Sequence, residues 1–237
     1  RTFGVNAELL IDHAWGWEPV TIAEIKAYKP ESSSMSSGQV LQDPYEFEKG
    51  KVVAREMTDQ LALDLEEKHL VTDQLVLTVG YDKENLSDPE RLKHYKGEVT
   101  VDRYGRKTPK HAHGTINLNR HTSSAKLLIS AATELFERIS DEALLSRRLN
   151  ITANHVIHEG DVSEENELVQ LDFFSDFSAD EAKREAEEKS LEREKSRQKA
   201  ILSIKNRYGK NAIVKGMNLQ EGATAMERNR QIGGHKA

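Results

Sequence analysis

The sequence predicts an α+β fold: a four-stranded sheet with two helices on one face, with a short helical segment before it and a long charged helix after it. Three observations predict it. Asp73 to Asp82 and His111 to Thr122 alternate apolar and polar residues with the period of a strand. Each lies beside a longer segment whose apolar residues recur at helical spacing. The resulting order is strand, helix, strand, strand, helix, strand, which packs as two layers.

Residues 1–30 read as two helices. Asn6 can cap the first, whose Leu9, Leu10 and Ala14 precede a stop at Gly16. Thr21 can cap the second, from Ile22 to Tyr28, before Lys29-Pro30 ends it. Ser32-Ser33-Ser34-Met35-Ser36-Ser37-Gly38 is small and polar, the composition of a linker. Gln39-Val40-Leu41 can finish a short strand. Pro44 to Leu70 reads as one long helix with Phe47, Val52, Val53, Met57, Leu61, Leu63 and Leu65 on a broad apolar face.

Asp73 to Asp82 follows as a strand with Leu75, Leu77, Val79 and Tyr81 on one side. Residues 83–107 are polar and hold Pro89, Gly97 and Gly105, so they read as an excursion, with Val99 and Val101 marking a short hairpin arm. His111 to Thr122 is the third strand. Ser123 or Ser124 then caps a helix carrying Leu127, Leu128, Ala131, Leu135, Phe136 and Ile139. Leu149 to His158 is the last strand. Ala179 to Tyr208 is rich in Glu, Lys and Arg and reads as a solvated helix that Gly209 ends.

Composition narrows the function classes. The 237 residues contain no cysteine, which excludes disulfides and thiolate metal sites and fits a reducing cytoplasm. No apolar run approaches the ~20 residues of a membrane span. The formal net charge is −6, but basic residues outnumber acidic ones between Arg91 and Arg148. Such a region is either a solvated surface or a face that attracts phosphate backbones. The chain opens on Arg1-Thr2-Phe3-Gly4 without Met and reads as a fragment of a longer protein.

Enzymatic motifs are missing from the sequence: there is no phosphate-binding glycine loop and no nucleophile elbow. His111, His113, His155, His158 and Glu159 offer a weak zinc pattern, and contact with phosphate is the better use for His111 and His113. The strand from Lys110 to Thr122 is the strongest binding candidate. Thr115, Asn117 and Asn119 share its polar face, flanked by Lys107, Lys110, Arg120, Thr122, Ser123 and Lys126. Amides, hydroxyls and cations satisfy phosphate oxygens, and N–H groups near Ser123-Ser124 add an anion site. An ordinary half-exposed strand would have the same pattern.

A second candidate is Gln170-Leu171-Asp172-Phe173-Phe174, three large apolar side chains in an acidic setting. Its spacing resembles the bacterial sliding-clamp-binding motif. The elements in their order resemble the C-terminal part of a Y-family translesion DNA polymerase. Thr2-Phe3-Gly4-Val5 and Ala14-Trp15-Gly16-Trp17-Glu18 are similar to the closing helices of its thumb. Ser32 to Leu41 resembles the tether and first strand of its little finger, and Leu75 to Asp82, Gly114 to Lys126 and Leu149 to His158 resemble the rest. The tail, Gly209 to Ile213 and Arg228 to Lys236, resembles a subgroup from Gram-positive bacteria.

The resemblance implies a division into the end of a thumb (1–31), a linker (32–38), a little finger (39–162), a clamp-binding linker (163–178) and a charged helix with tail (179–237). It implies that this region grips primer–template DNA, with Ser37 and Gly38 added to the strand residues above, and tethers the enzyme to the sliding clamp through Gln170 to Phe174. It also implies a parent that transfers nucleotides with Mg²⁺ on palm carboxylates, with no cofactor in this region. A non-catalytic adaptor in damage tolerance and an unrelated interaction module are the alternatives. The excursion at 83–107 exceeds the usual turn and leaves the strand pairing there open.

Overall fold

A computed structural model describes residues 7–18, 20–28, 33–101, 105–162, 177–232 and 235–236. The chain divides into two compact units, Arg1–Ser32 and Ser33–Ala237.

In the first unit, α1 (Ala7–Ala14) ends before Gly16 and α2 (Ile22–Ala27) begins after Thr21, while Asn6, Lys29 and Pro30 lie outside the described residues. Gly16 takes φ +76°, which returns the chain after α1. Thr21 and Glu24 form a reciprocal box: the Glu24 N–H donates to the Thr21 hydroxyl at 3.3 Å and the Thr21 N–H to the Glu24 carboxylate at 2.7 Å. These bonds hold the Glu24 carboxyl below its ordinary value. Trp15, Ile22 and Ile25 are exposed.

The second unit is a mixed α+β domain on an antiparallel sheet. Its long strands are β1 (Met35–Tyr45), β2 (Leu70–Tyr81), β5 (Ala112–Thr122) and β6 (Ser146–Asn154), in the order β1-β6-β2-β5. The expected four strands become five: β7 (Ile157–His158) pairs antiparallel with the start of β2, Leu70 opposite His158. The last predicted strand is broken because His155 adopts φ +50°, which turns the chain between β6 and β7. A similar residue, His69 at φ +55°, stops the first long helix early, so α3 runs Phe47–Glu67 and Leu70 joins β2. Met35 to Gly38, read as linker, pair with β6 from Ala153 to Asn150 and begin β1.

Strand alternation puts the core on one side. Leu75, Leu77 and Val79 of β2 and Leu149, Ile151 and Ala153 of β6 are buried beneath α3 and α6 (Ala125–Ile139). From α3 come Val53, Met57, Leu61 and Leu65, and from α6 Leu128, Ala132, Leu135 and Phe136. The Phe47 and Phe136 rings meet at 5.1 Å between centroids. At Gly114 a Cβ would stand 2.6 Å from Ile139 Cγ2, so the absent side chain is what lets β5 approach α6.

The excursion between β2 and β5 holds α4 (Glu84–Ser87), α5 (Pro89–His94) and a hairpin of β3 (Val99–Val101) and β4 (Lys107–Pro109). It leaves the pairing of β2 with β5 intact, Leu77 opposite Gly114. Fully buried Asn85 anchors it: its amide donates to the Asp82 and Leu145 carbonyls at 2.9 and 3.0 Å and accepts the Leu145 N–H at 2.8 Å.

After residue 162 the description resumes with α7 (Phe177–Tyr208), which packs on α3 and ends at Gly209, φ +98°. A 3₁₀ turn (Gly216–Leu219) and α8 (Ala225–Arg228) follow, with Ala212 and Ile213 in bends. The tail docks on two buried carboxylates of α3. Glu56 accepts from the Asn218 amide at 2.7 Å, the Thr224 N–H at 2.7 Å and the Ala225 N–H at 3.2 Å, and Lys215 Nζ lies 2.5 Å from Asp59.

Candidate nucleic-acid interface

The sheet face opposite the helices is polar. Alternation that buries Leu75, Leu77 and Val79 turns Gln74, Val76 and Thr78 the other way. Their partners across both ladders are Asn117, Thr115 and His113 on β5 and Asn154, Thr152 and Asn150 on β6. Amides link the three strands: Asn154 donates to Gln74 at 2.9 Å and Gln74 to Asn117 at 2.8 Å. Thr78 Oγ1 and His113 Nδ1 are 2.9 Å apart. Exposed Ser36, Gly38 and Val40 continue the face on β1, opposite Thr152, Asn150 and exposed Arg148.

Thr115, Asn117 and Asn119 are exposed, the first two at register positions on this face. Gly38 is there too, and a Cβ on it would come within 3.1 Å of Asn150 Oδ1. Ser37 is not. It pairs with Ile151 and faces the helix side, because alternation gives the open side to Ser36 and Gly38. His111 is exposed just before β5, and Lys107 is exposed on β4. Lys110 is committed to Glu98 at 2.7 Å, a pair that raises the Lys110 pKa and lowers that of Glu98.

The end of β5 departs most from expectation. Thr122 and Ser123 are buried, and the Ser123 hydroxyl donates to buried Glu66 at 2.8 Å. Arg120 is half-buried, with Nη2 3.6 Å from Glu187 of α7. The N–H groups that open α6 are also taken. Lys126 N–H donates to Glu194 at 2.7 Å, while the Lys126 side chain is exposed. Ser124 donates to the other Glu194 oxygen at 2.6 Å and caps Leu127 N–H at 3.3 Å. The anion site expected at this helix start therefore holds a carboxylate of the chain itself.

Sequence reasoning passed over Gln74, Thr78, Arg148, Asn150, Thr152 and Asn154. The signal was the polar half of the same alternation that marked the core of β2 and β6. The histidine pattern does not converge. Among the described residues no group of three metal-binding side chains forms. His155 Nδ1 meets Asp73 at 2.8 Å, and Glu159 pairs with Lys195. Gln170, Leu171, Asp172, Phe173 and Phe174 lie outside the described residues.

The family model of the impB/mucB/samB family C-terminal domain matches residues 32–173. No curated protein matches the chain. Among solved structures, the chain is similar to one from a complex of the beta-clamp processivity factor and the little finger domain of PolIV. The identity is 8%, with 58% of this chain and 98% of that chain covered and a TM-score of 0.34. No helix among the described residues is long and apolar enough to cross a membrane.

Proposed function

This chain belongs to the impB/mucB/samB family, with the C-terminal domain of these Y-family polymerases over residues 32–173, and from that premise we propose that it grips primer–template DNA. One observation carries the reading: the helix-free sheet face carries amides and hydroxyls on β5, β2 and β6 around a central Val76. Neutral N–H and O–H donors of this kind bond phosphate and sugar oxygens without reading base identity. Thr115, Asn117, Asn119, Thr152, Asn150 and Gly38 supply the surface, and Arg148, Lys107, His111 and Lys126 supply donors and charge at its margins.

A grip of this chemistry is indifferent to the shape of a template base, which suits lesion bypass by the parent polymerase. Gln170 to Phe174 is the clamp tether, with Leu171, Phe173 and Phe174 as apolar anchors and Gln170 as the polar one. In this reading nucleotidyl transfer belongs to palm carboxylates of the parent, and the chain extends no primer when given Mg²⁺ and nucleotides.

The test is a titration of labelled primer–template duplex across a range of salt. Arg148→Ala should weaken binding and lower the magnitude of the salt slope by about one. A slope unchanged from the parent chain would sink the grip. Separately, Leu171→Ala with Phe173→Ala should abolish binding to a sliding clamp while leaving the DNA titration unaltered, and retained clamp affinity would remove the tether.

A further inference from the structure

Helix α7 has two halves of opposite charge. Residues 177–194 carry seven acidic and four basic side chains, and residues 195–208 carry five basic and no acidic ones. Each half meets its complement on the domain. Glu187 lies 3.6 Å from Arg120, and Glu194 accepts from Ser124 and Lys126 N–H. Behind them Lys195 pairs with Glu159, Lys199 lies 4.0 Å from Glu66, and the Asn206 amide donates to Glu67 at 3.0 Å. Among the described side chains of α7 only Gln198 is buried, and it too makes a polar contact, donating to the Ser123 carbonyl at 3.0 Å. An attachment of this kind exchanges with competing ions far more readily than an apolar one.

We propose that α7 is a displaceable strap whose carboxylates occupy groups that a DNA phosphate would otherwise use, so that helix and duplex compete for the end of β5. The inference rests on the reading of the sheet as a DNA grip. Glu187 and Glu194 are seven residues apart and so share one helix face. Together they address a guanidinium, a hydroxyl and a backbone N–H within residues 120–126, the three kinds of group that hold phosphate oxygens. The acidic half of α7 thus acts as an internal polyanion. Bound duplex displaces it, and docked α7 weakens the grip.

Anisotropy of a labelled primer–template duplex with the full 237-residue chain tests this. Glu187→Gln should bind about two- to fivefold tighter, the scale an exposed ion pair sets. Glu188→Gln removes an equal charge one residue on and should change affinity less. In an Arg120→Ala background Glu187→Gln should have no effect. Equal gains from the two Glu→Gln variants, or a Glu187→Gln gain that survives the loss of Arg120, overturn the strap but leave the grip standing. No binding by the parent chain or by Glu187→Gln overturns both. Hydrogen exchange over residues 185–199 should speed up when DNA is bound, and unchanged protection also overturns the strap.

Discussion

Ser123 and Glu66 show how much one hydroxyl can carry. Glu66 is a buried carboxylate, one of its oxygens is without a hydrogen bond, and the other accepts from Ser123 at 2.8 Å. Ser123→Ala leaves that charge without its bond. It should cost about 1–3 kcal/mol in urea unfolding. Gly114 is the opposite case, where an added atom does harm. Gly114→Ala drives a methyl against Ile139 and Leu135, and overpacking of that sort costs about 1–3 kcal/mol, readable as a lower thermal midpoint. The sequence announced Ser123 as a polar residue at a helix start and nothing more. Burial beside Glu66, 57 residues away, is a tertiary fact that no local pattern encodes. The open-face positions of Thr115 and Asn117 are legible because strand alternation is local, whereas the side on which Ser37 stands is not, because its run of serines has the composition of a linker.

At the scale of elements, the base of the hairpin of β3 and β4 carries an exposed ion pair, Glu98 with Lys110, beside the bond from Lys110 N–H to the Glu98 carbonyl. The Glu98 carboxyl is held below its ordinary 4.5, first by the Lys110 hydrogen bond and then by its charge. A depressed carboxyl contributes stability above its unfolded value and loses it as pH falls through the folded one. The contribution is therefore present near neutrality and lost on acidification below 4.5. Amide exchange at residues 99–101 and 107–109 should accelerate over that acid range in the parent chain and lose this dependence in Glu98→Gln. The arm itself was foreseen from Val99 and Val101. The helices α4 and α5 were not: buried Asn85 of α4 reaches Leu145, and α5 is capped by Asp88 on Glu90 N–H and tied by Arg91 donating to the Ala143 carbonyl, with no apolar period in either. The position of α7 was hidden for the same reason. Its length and composition mark a helix, but the partners of its charges lie on α3, β5 and α6.

For the whole molecule, the order of the long strands and helices was readable because each has its own period, and that order, with the spacing of Gln170 to Phe174 and the tail, pointed to the family. What was not readable is that residues 205–230 belong to the folded unit. Lys205 is pushed down by burial, and so is Arg228 despite the carboxylate of Glu56 nearby. Glu56→Ala removes the acceptor for Asn218, Thr224 N–H and Ala225 N–H together. It should weaken tail docking by about 2–3 kcal/mol, seen as new protease cleavage within residues 209–230 while the sheet stays intact. Cleavage unchanged from the parent would mean that the tail is held by other contacts.

Gln39 bonds to Thr224 at 3.0 Å and to Arg228 at 3.2 Å, so the last helical turn rests on the first strand. The domain is therefore a closed loop, fastened where its path begins and ends. Separating Gln39 from Leu149, its partner on β6, therefore also strains the bonds to Thr224 and Arg228.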